Sequence, residues 1–137
     1  MSQPPIDWLL QEFVDRVPGA RSALVATTDG LHKGQYNLEG PGVDRLSAIV
    51  SGLNSLARAA GEFATDCPDA FRHITIETGD IVLLAVAVQG LSTPSGNGVL
   101  VVIADTAADL GLVGYEMGQL TRKVPEALST PERPAAS

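Results

Sequence analysis

Ile81-Val82-Leu83-Leu84-Ala85-Val86-Ala87-Val88 is an unbroken apolar run, and it constrains the fold more than any other segment. A strand with one face in solvent alternates apolar and polar residues. A run with no polar member needs cover on both faces. Val99 to Ala104 reads the same way. The chain must therefore supply helices for two sides of one sheet. Aromatic residues make up only 4% of the sequence, so Val, Leu, Ile and Ala have to build the core. A length of 137 residues leaves room for one such core and not for two.

The helices are legible from their periods. Ile6 to Val17 carries Leu9, Phe13 and Val17 at four-residue spacing, widened by Leu10 and Val14. Asp7 stands where an N-cap would accept orphan N–H groups, and Pro18-Gly19 ends the pattern. From about Val43 to Ala64, Leu46, Ile49, Val50, Leu53, Leu56, Ala57, Ala60 and Phe63 form a broad apolar face. A last helix, roughly Leu110 to Leu128, sets Leu110, Val113, Met117, Leu120 and Val124 in a narrow seam. That seam is expected to share one sheet face with Leu9 and Phe13. Gly111, Gly114 and Gly118 lie on another side of this helix. Each costs ~1 kcal/mol of helix propensity, so the close approach of another backbone is expected there.

The remaining strands come from turn chemistry. Arg21 to Thr28 and Leu31 to Tyr36 flank Asp29-Gly30, a hairpin signal. Phe71 to Thr78 turns at Gly79-Asp80 into the first apolar run. Tight hairpins make the sheet antiparallel. The expected fold is α+β, in the order α-β-β-α-β-β-β-α, with one five-stranded antiparallel sheet and helices on both faces. The expected domain spans 6–128, with 1–5 and 129–137 as flexible termini.

Charge and composition exclude several functions. The net charge is −7 and the nine Lys and Arg are scattered, which argues against a nucleic-acid partner. It argues equally against an anionic membrane surface. No apolar run approaches the ~20 residues that span a bilayer. Met1 to Pro5 lacks the basic and apolar regions of a signal peptide, so the expected location is the cytoplasm.

Catalytic chemistry has little to work with. Cys67 is the sole cysteine, and Asp66 and Asp69 beside it would raise its thiol pKa, the wrong direction for a nucleophile. A pairing of Cys67 with His73 is the one enzymatic reading, and it is set against an incidental thiol. Two histidines, His32 and His73, do not make a metal centre. Gly96-Asn97-Gly98 lacks the Lys and Ser/Thr of a phosphate loop and leads into a strand. The expectation is no catalytic residue, no metal and no cofactor.

Self-association is better supported. The strand after the middle helix is a candidate sheet edge, and an exposed edge invites pairing with a second copy. A two-fold axis there would bring two middle helices together. The candidate interface is Leu46, Ile49, Val50, Leu53 and Leu56 on that helix, with Ile74 and Ile76 on the strand. The competing reading is that these side chains simply cover their own sheet.

Trp8-Leu9-Leu10 in the first helix and Ala23-Leu24-Val25-Ala26-Thr27-Thr28-Asp29-Gly30-Leu31 carry a family resemblance. With the long middle helix, the Gly79-Asp80 hairpin and the final strand and helix, the chain resembles the roadblock family of dynein light chains and bacterial small-GTPase regulators. It is most similar to actinobacterial members found beside a sensor kinase and a Ras-like GTPase. The resemblance implies a roadblock (profilin-like) fold, dimers with a continuous intermolecular sheet, and a non-enzymatic adaptor that binds a Ras-like small GTPase. No arginine finger is evident, and the family has no catalytic motif to carry over. The alternative function is a small-ligand-binding sensor of similar α+β fold, with the Gln89 to Gly98 loop gating a pocket.

Overall fold

The two apolar runs lie side by side in a computed structural model that describes residues 5–63, 72–91 and 97–129. Its elements are α1 (Pro5–Arg16), β1 (Ala20–Thr27), β2 (His32–Tyr36), α2 (Gly40–Gly61), β3 (His73–Glu77), β4 (Ile81–Val88), β5 (Gly98–Asp105) and α3 (Leu110–Ser129). They form one open five-stranded antiparallel sheet in the order β2-β1-β5-β4-β3. β4 pairs with β5 from Ile81↔Asp105 to Val88↔Gly98, and β1 closes the other side of β5.

Alternation along these strands makes two cores. Val82, Leu84, Val88, Leu100, Val102 and Ala104 face one way, under Leu10 and Phe13 of α1 and Val113, Met117, Leu120 and Val124 of α3. Leu83, Ala85, Val99, Val101, Leu24 and Ala26 face the other way, under Leu46, Val50 and Leu53 of α2. The seam of α3 therefore shares its sheet face with Phe13 and the half-buried Leu9, as its three- and four-residue steps imply. The two edges are short: β2 and β3 have five residues each, against eight in β1, β4 and β5.

Helix ends differ from the sequence reading for identifiable reasons. α1 starts at Pro5, because proline suits the first helical turn, where its missing N–H is not needed. Asp7 thus lies inside the helix and is not its cap. Its Oδ1 accepts from the Gln35 backbone N–H at 3.0 Å, tying α1 to the edge strand β2. α2 starts at Gly40 for the same reason, with Pro41 in its first turn and Glu39 as an extended N-cap. α3 is capped by Asp109, whose Oδ1 accepts from the Leu112 N–H at 3.2 Å.

Among the described residues nothing packs against the glycines of α3 closely enough to explain them. A Cβ at Gly114 or Gly118 would meet nothing within 4 Å, and at Gly111 only the Asp109 carboxylate. The expected backbone approach is absent among the described residues. Gly114→Ala and Gly118→Ala should each raise stability by ~0.5–1 kcal/mol in thermal unfolding. A lowered melting temperature would show that a second chain packs on this side in solution.

The terminal stretches expected to be flexible fall almost wholly outside the described residues, with Pro5 and Ser129 appearing as helix ends. Phe71, where the third strand was expected to begin, and Cys67 with its neighbours Asp66 and Asp69 also fall outside them. Among the described residues, no helix is long and apolar enough to cross a membrane.

Candidate interaction surface

α2 carries more apolar surface than its own sheet can cover. Leu46, Val50 and Leu53 point at the sheet and are buried within the chain itself. Ile49 and Leu56 sit one helical step round and stay outside, Leu56 with 67% of its surface open. Phe63, just past the helix end, is 96% exposed. Ile49, Leu56 and Phe63 are spaced by seven residues, so they line up as a stripe beside the buried one.

That stripe borders β3. Ile74 is half-buried against the α2 core, while Ile76 is exposed at 38%. Between helix and strand runs an open groove of about 570 Å³, lined by Leu53, Leu56, Ala57, Ala60, Ile74 and Ile76. The seven candidate interface residues are thus divided by the fold. Leu46, Val50 and Leu53 are held in the core of one chain, Ile74 is intermediate, and Ile49, Leu56 and Ile76 face solvent. Phe63 and Ala60, not among the candidates, belong to the same exposed face. Their helical phase with Leu56 was the signal that could have included them.

β3 is a sheet edge, as its position after the α2 crossover suggests. The Ala87 N–H donates to the Arg72 carbonyl, and the Thr78 N–H to the Ile81 carbonyl, each at 2.9 Å. Hydrogen-bonded positions alternate along an antiparallel pair. Even-numbered residues of β3 therefore bond to β4. His73, Thr75 and Glu77 turn their N–H and C=O groups outward, and all three side chains are exposed. Among the described residues, a strand edge with no neighbour and an exposed apolar stripe lie next to each other.

Sequence and structural relatives agree with this architecture. The model of the Roadblock/LC7 domain matches residues 6–104. The chain belongs to the Roadblock/LC7 family. Domains of this family are generally non-enzymatic regulatory or adaptor modules. The crystal structure of a Roadblock/LC7 domain from Streptomyces avermitilis is 35% identical, with TM-score 0.77, covering 90% of this chain and 98% of that one. The gliding protein MglB from Thermus thermophilus has the same fold at 17% identity and TM-score 0.73, with 93% of each chain covered. Myxococcus xanthus MglB matches at 15% identity and TM-score 0.75, covering 92% of this chain and 96% of that one. A search of curated proteins finds no match.

Within this Roadblock domain the segment that carried the resemblance has a structural basis. The β1–β2 turn is closed by the Thr27 N–H donating to the Leu31 carbonyl at 2.9 Å and the Leu31 N–H to Thr27 Oγ1 at 3.0 Å. Gly30 takes φ +91°, and a Cβ there would lie 3.1 Å from the Ser47 carbonyl of α2. The turn thus seats the first hairpin on the middle helix. Trp8, the other marker, is half-exposed on the outer side of α1.

Proposed function

We propose that the protein is a homodimeric adaptor with no catalytic activity of its own. In this reading it binds a Ras-like small GTPase within a bacterial signalling system that includes a sensor kinase. The observation that carries the dimer is the free β3 edge beside the exposed stripe of Ile49, Leu56 and Phe63. A two-fold axis at β3 covers both at once and extends the sheet across two copies. Family membership supports the adaptor role and, through the likeness to actinobacterial members, the GTPase partner.

Two copies of β3 overlap most fully when Thr75 lies on the axis. Ile74 then stands opposite the second copy's Ile76, and His73 opposite its Glu77. Directly opposed like charges destabilise a strand pair, and opposite charges stabilise it, by ~0.2–1 kcal/mol each. His73→Glu is therefore expected to weaken the dimer about 5- to 10-fold, because symmetry repeats the clash. Adding Glu77→Lys should restore it. Analytical ultracentrifugation of the two single variants and the double variant reads this directly, and a double variant no tighter than His73→Glu rules out this register.

The partner is tested by pull-down from source lysate, run separately with GDP and with a non-hydrolysable GTP analogue. Recovery of a Ras-like GTPase in one nucleotide state is the expected result. Absence in both, with folded bait, would overturn the adaptor reading in favour of the small-ligand sensor.

A further inference from the structure

At the end of the sheet where β1 and β4 finish and β3 and β5 begin, both helical layers converge on a second cleft of about 720 Å³. This is within the ordinary size of a small-molecule site. Its polar lining is unusual for this chain. Arg72 comes from the start of β3 and Arg122 from α3; Asn54, Gln89, Asn97 and Thr121 add carboxamide and hydroxyl groups. Among the described residues, no Asp or Glu lines it. Among the described residues neither arginine side chain has an ion pair, whereas Arg16 pairs with Glu116 and Arg21 with Asp105. Two arginines line one cleft, with no carboxylate from the described residues, in a protein of net charge −7.

The backbone around the arginines is held in place. The Arg72 carbonyl accepts from the Ala87 N–H at 2.9 Å, which continues the β3 ladder one residue beyond the strand. Pro125, one turn after Arg122, packs 3.7 Å from where a Cβ on Gly90 would stand. Gly90 has φ +84°, so this exit from β4 closely follows α3. The connection expected to gate a pocket, Gln89 to Gly98, borders the cleft through Gln89, Asn97 and Gly98.

The geometry points to a binding site for a small multivalent phosphate-type anion in this cleft, held by Arg72 and Arg122 and oriented by the carboxamides of Asn54, Gln89 and Asn97. Guanidinium forks bind phosphate oxygens through two parallel N–H bonds, and carboxamide N–H groups donate to the remaining oxygens. A multivalent anion also balances two like charges on the lining of one cleft, where the described residues supply no carboxylate. The site adjoins the α2–β3 groove at Arg72, which lines both, whereas Arg122 belongs to the cleft alone, and it does not depend on the GTPase reading.

The test uses the full chain at low ionic strength, with inorganic pyrophosphate as the probe and calorimetry and thermal unfolding as readouts. Saturable binding is expected, with a melting temperature that rises with ligand concentration. Arg72→Ala and Arg122→Ala should each weaken it about 10-fold or more, since each removes charge-assisted hydrogen bonds. Arg45→Ala, an exposed arginine of α2 outside the cleft, should leave it unchanged. Arg122→Lys should retain part of the affinity, because charge remains while the fork is lost. Both cleft arginines are exposed, so circular dichroism of the variants should match the parent chain. No saturable binding up to ~10 mM pyrophosphate, a constant worth under about 3 kcal/mol, would overturn the proposal. So would equal weakening by Arg45→Ala, or binding of citrate as tight as that of pyrophosphate.

Discussion

Leu56→Asp should turn the protein into a monomer at concentrations where the parent chain sediments as a dimer, raising the dissociation constant about 100-fold or more. Burying a leucine contributes ~1.5–3 kcal/mol, and a two-fold interface loses it twice. Each 1.4 kcal/mol is about one decade in affinity. The aspartate adds the cost of a carboxylate facing an apolar surface without a partner. Leu56 is the right residue because 67% of its surface is open in the single chain, so the substitution leaves the monomer core intact. Leu53→Asp would not separate the two effects, since Leu53 is only 6% exposed and already belongs to the α2 core. Sedimentation velocity gives the mass, and circular dichroism confirms the fold. A Leu56→Asp variant that stays dimeric would place any self-association on another face.

Gly19→Ala should cost about 3–5 kcal/mol of folding stability, a large share of the 5–15 typical of a domain. Two strains add. Gly19 holds φ +88°, a conformation that costs a side-chain-bearing residue ~1–3 kcal/mol. Its new Cβ would stand 2.4 Å from Ala108 Cβ and 3.1 Å from Ala108 Cα, so the β5–α3 connection would have to move. That connection is held where it is: the Asp105 N–H donates to the Gly19 carbonyl at 2.8 Å, Arg21 pairs with Asp105, and the Ala108 N–H donates to the Asp105 carbonyl at 3.0 Å. Urea unfolding should show a midpoint lower by ~1–3 M with little change in slope. A midpoint within error of the parent would mean that the α1–β1 corner relaxes freely and that the contact with Ala108 is not maintained in solution.

The interface and the fold differ in how far residues announce them. The heptad spacing of Ile49, Leu56 and Phe63 is visible in the sequence, but so is the spacing of Leu46, Val50 and Leu53, which has the same period. Periodicity gives the angle between residues about a helix axis. It does not say which rotation of the helix the sheet selects. Packing against Leu24, Ala26, Leu83, Ala85, Val99 and Val101 makes that choice and leaves the second stripe outside. The same limit applies to Asp7: its place before an apolar period suits a cap, and only the neighbouring edge strand reveals the Gln35 N–H that it serves.

The elements and their layering follow from local patterning. Continuous apolar runs can be stable only with both faces covered, which put β4 and β5 inside the sheet between helices. Asp-Gly and Gly-Asp turns made neighbouring strands antiparallel, and the three- and four-residue steps of α3 chose its buried side. Which residues meet across long sequence distance follows from packing. Arg72 and Arg122 share a cleft because the crossover returns β3 to one end of the sheet and α3 crosses that same end. His73, Thr75 and Glu77 turn their backbone outward because β4 takes the alternate positions. Local chemistry sets each segment's conformation and its apolar face, whereas the convergence of residues far apart in the chain depends on how the covered faces pack together.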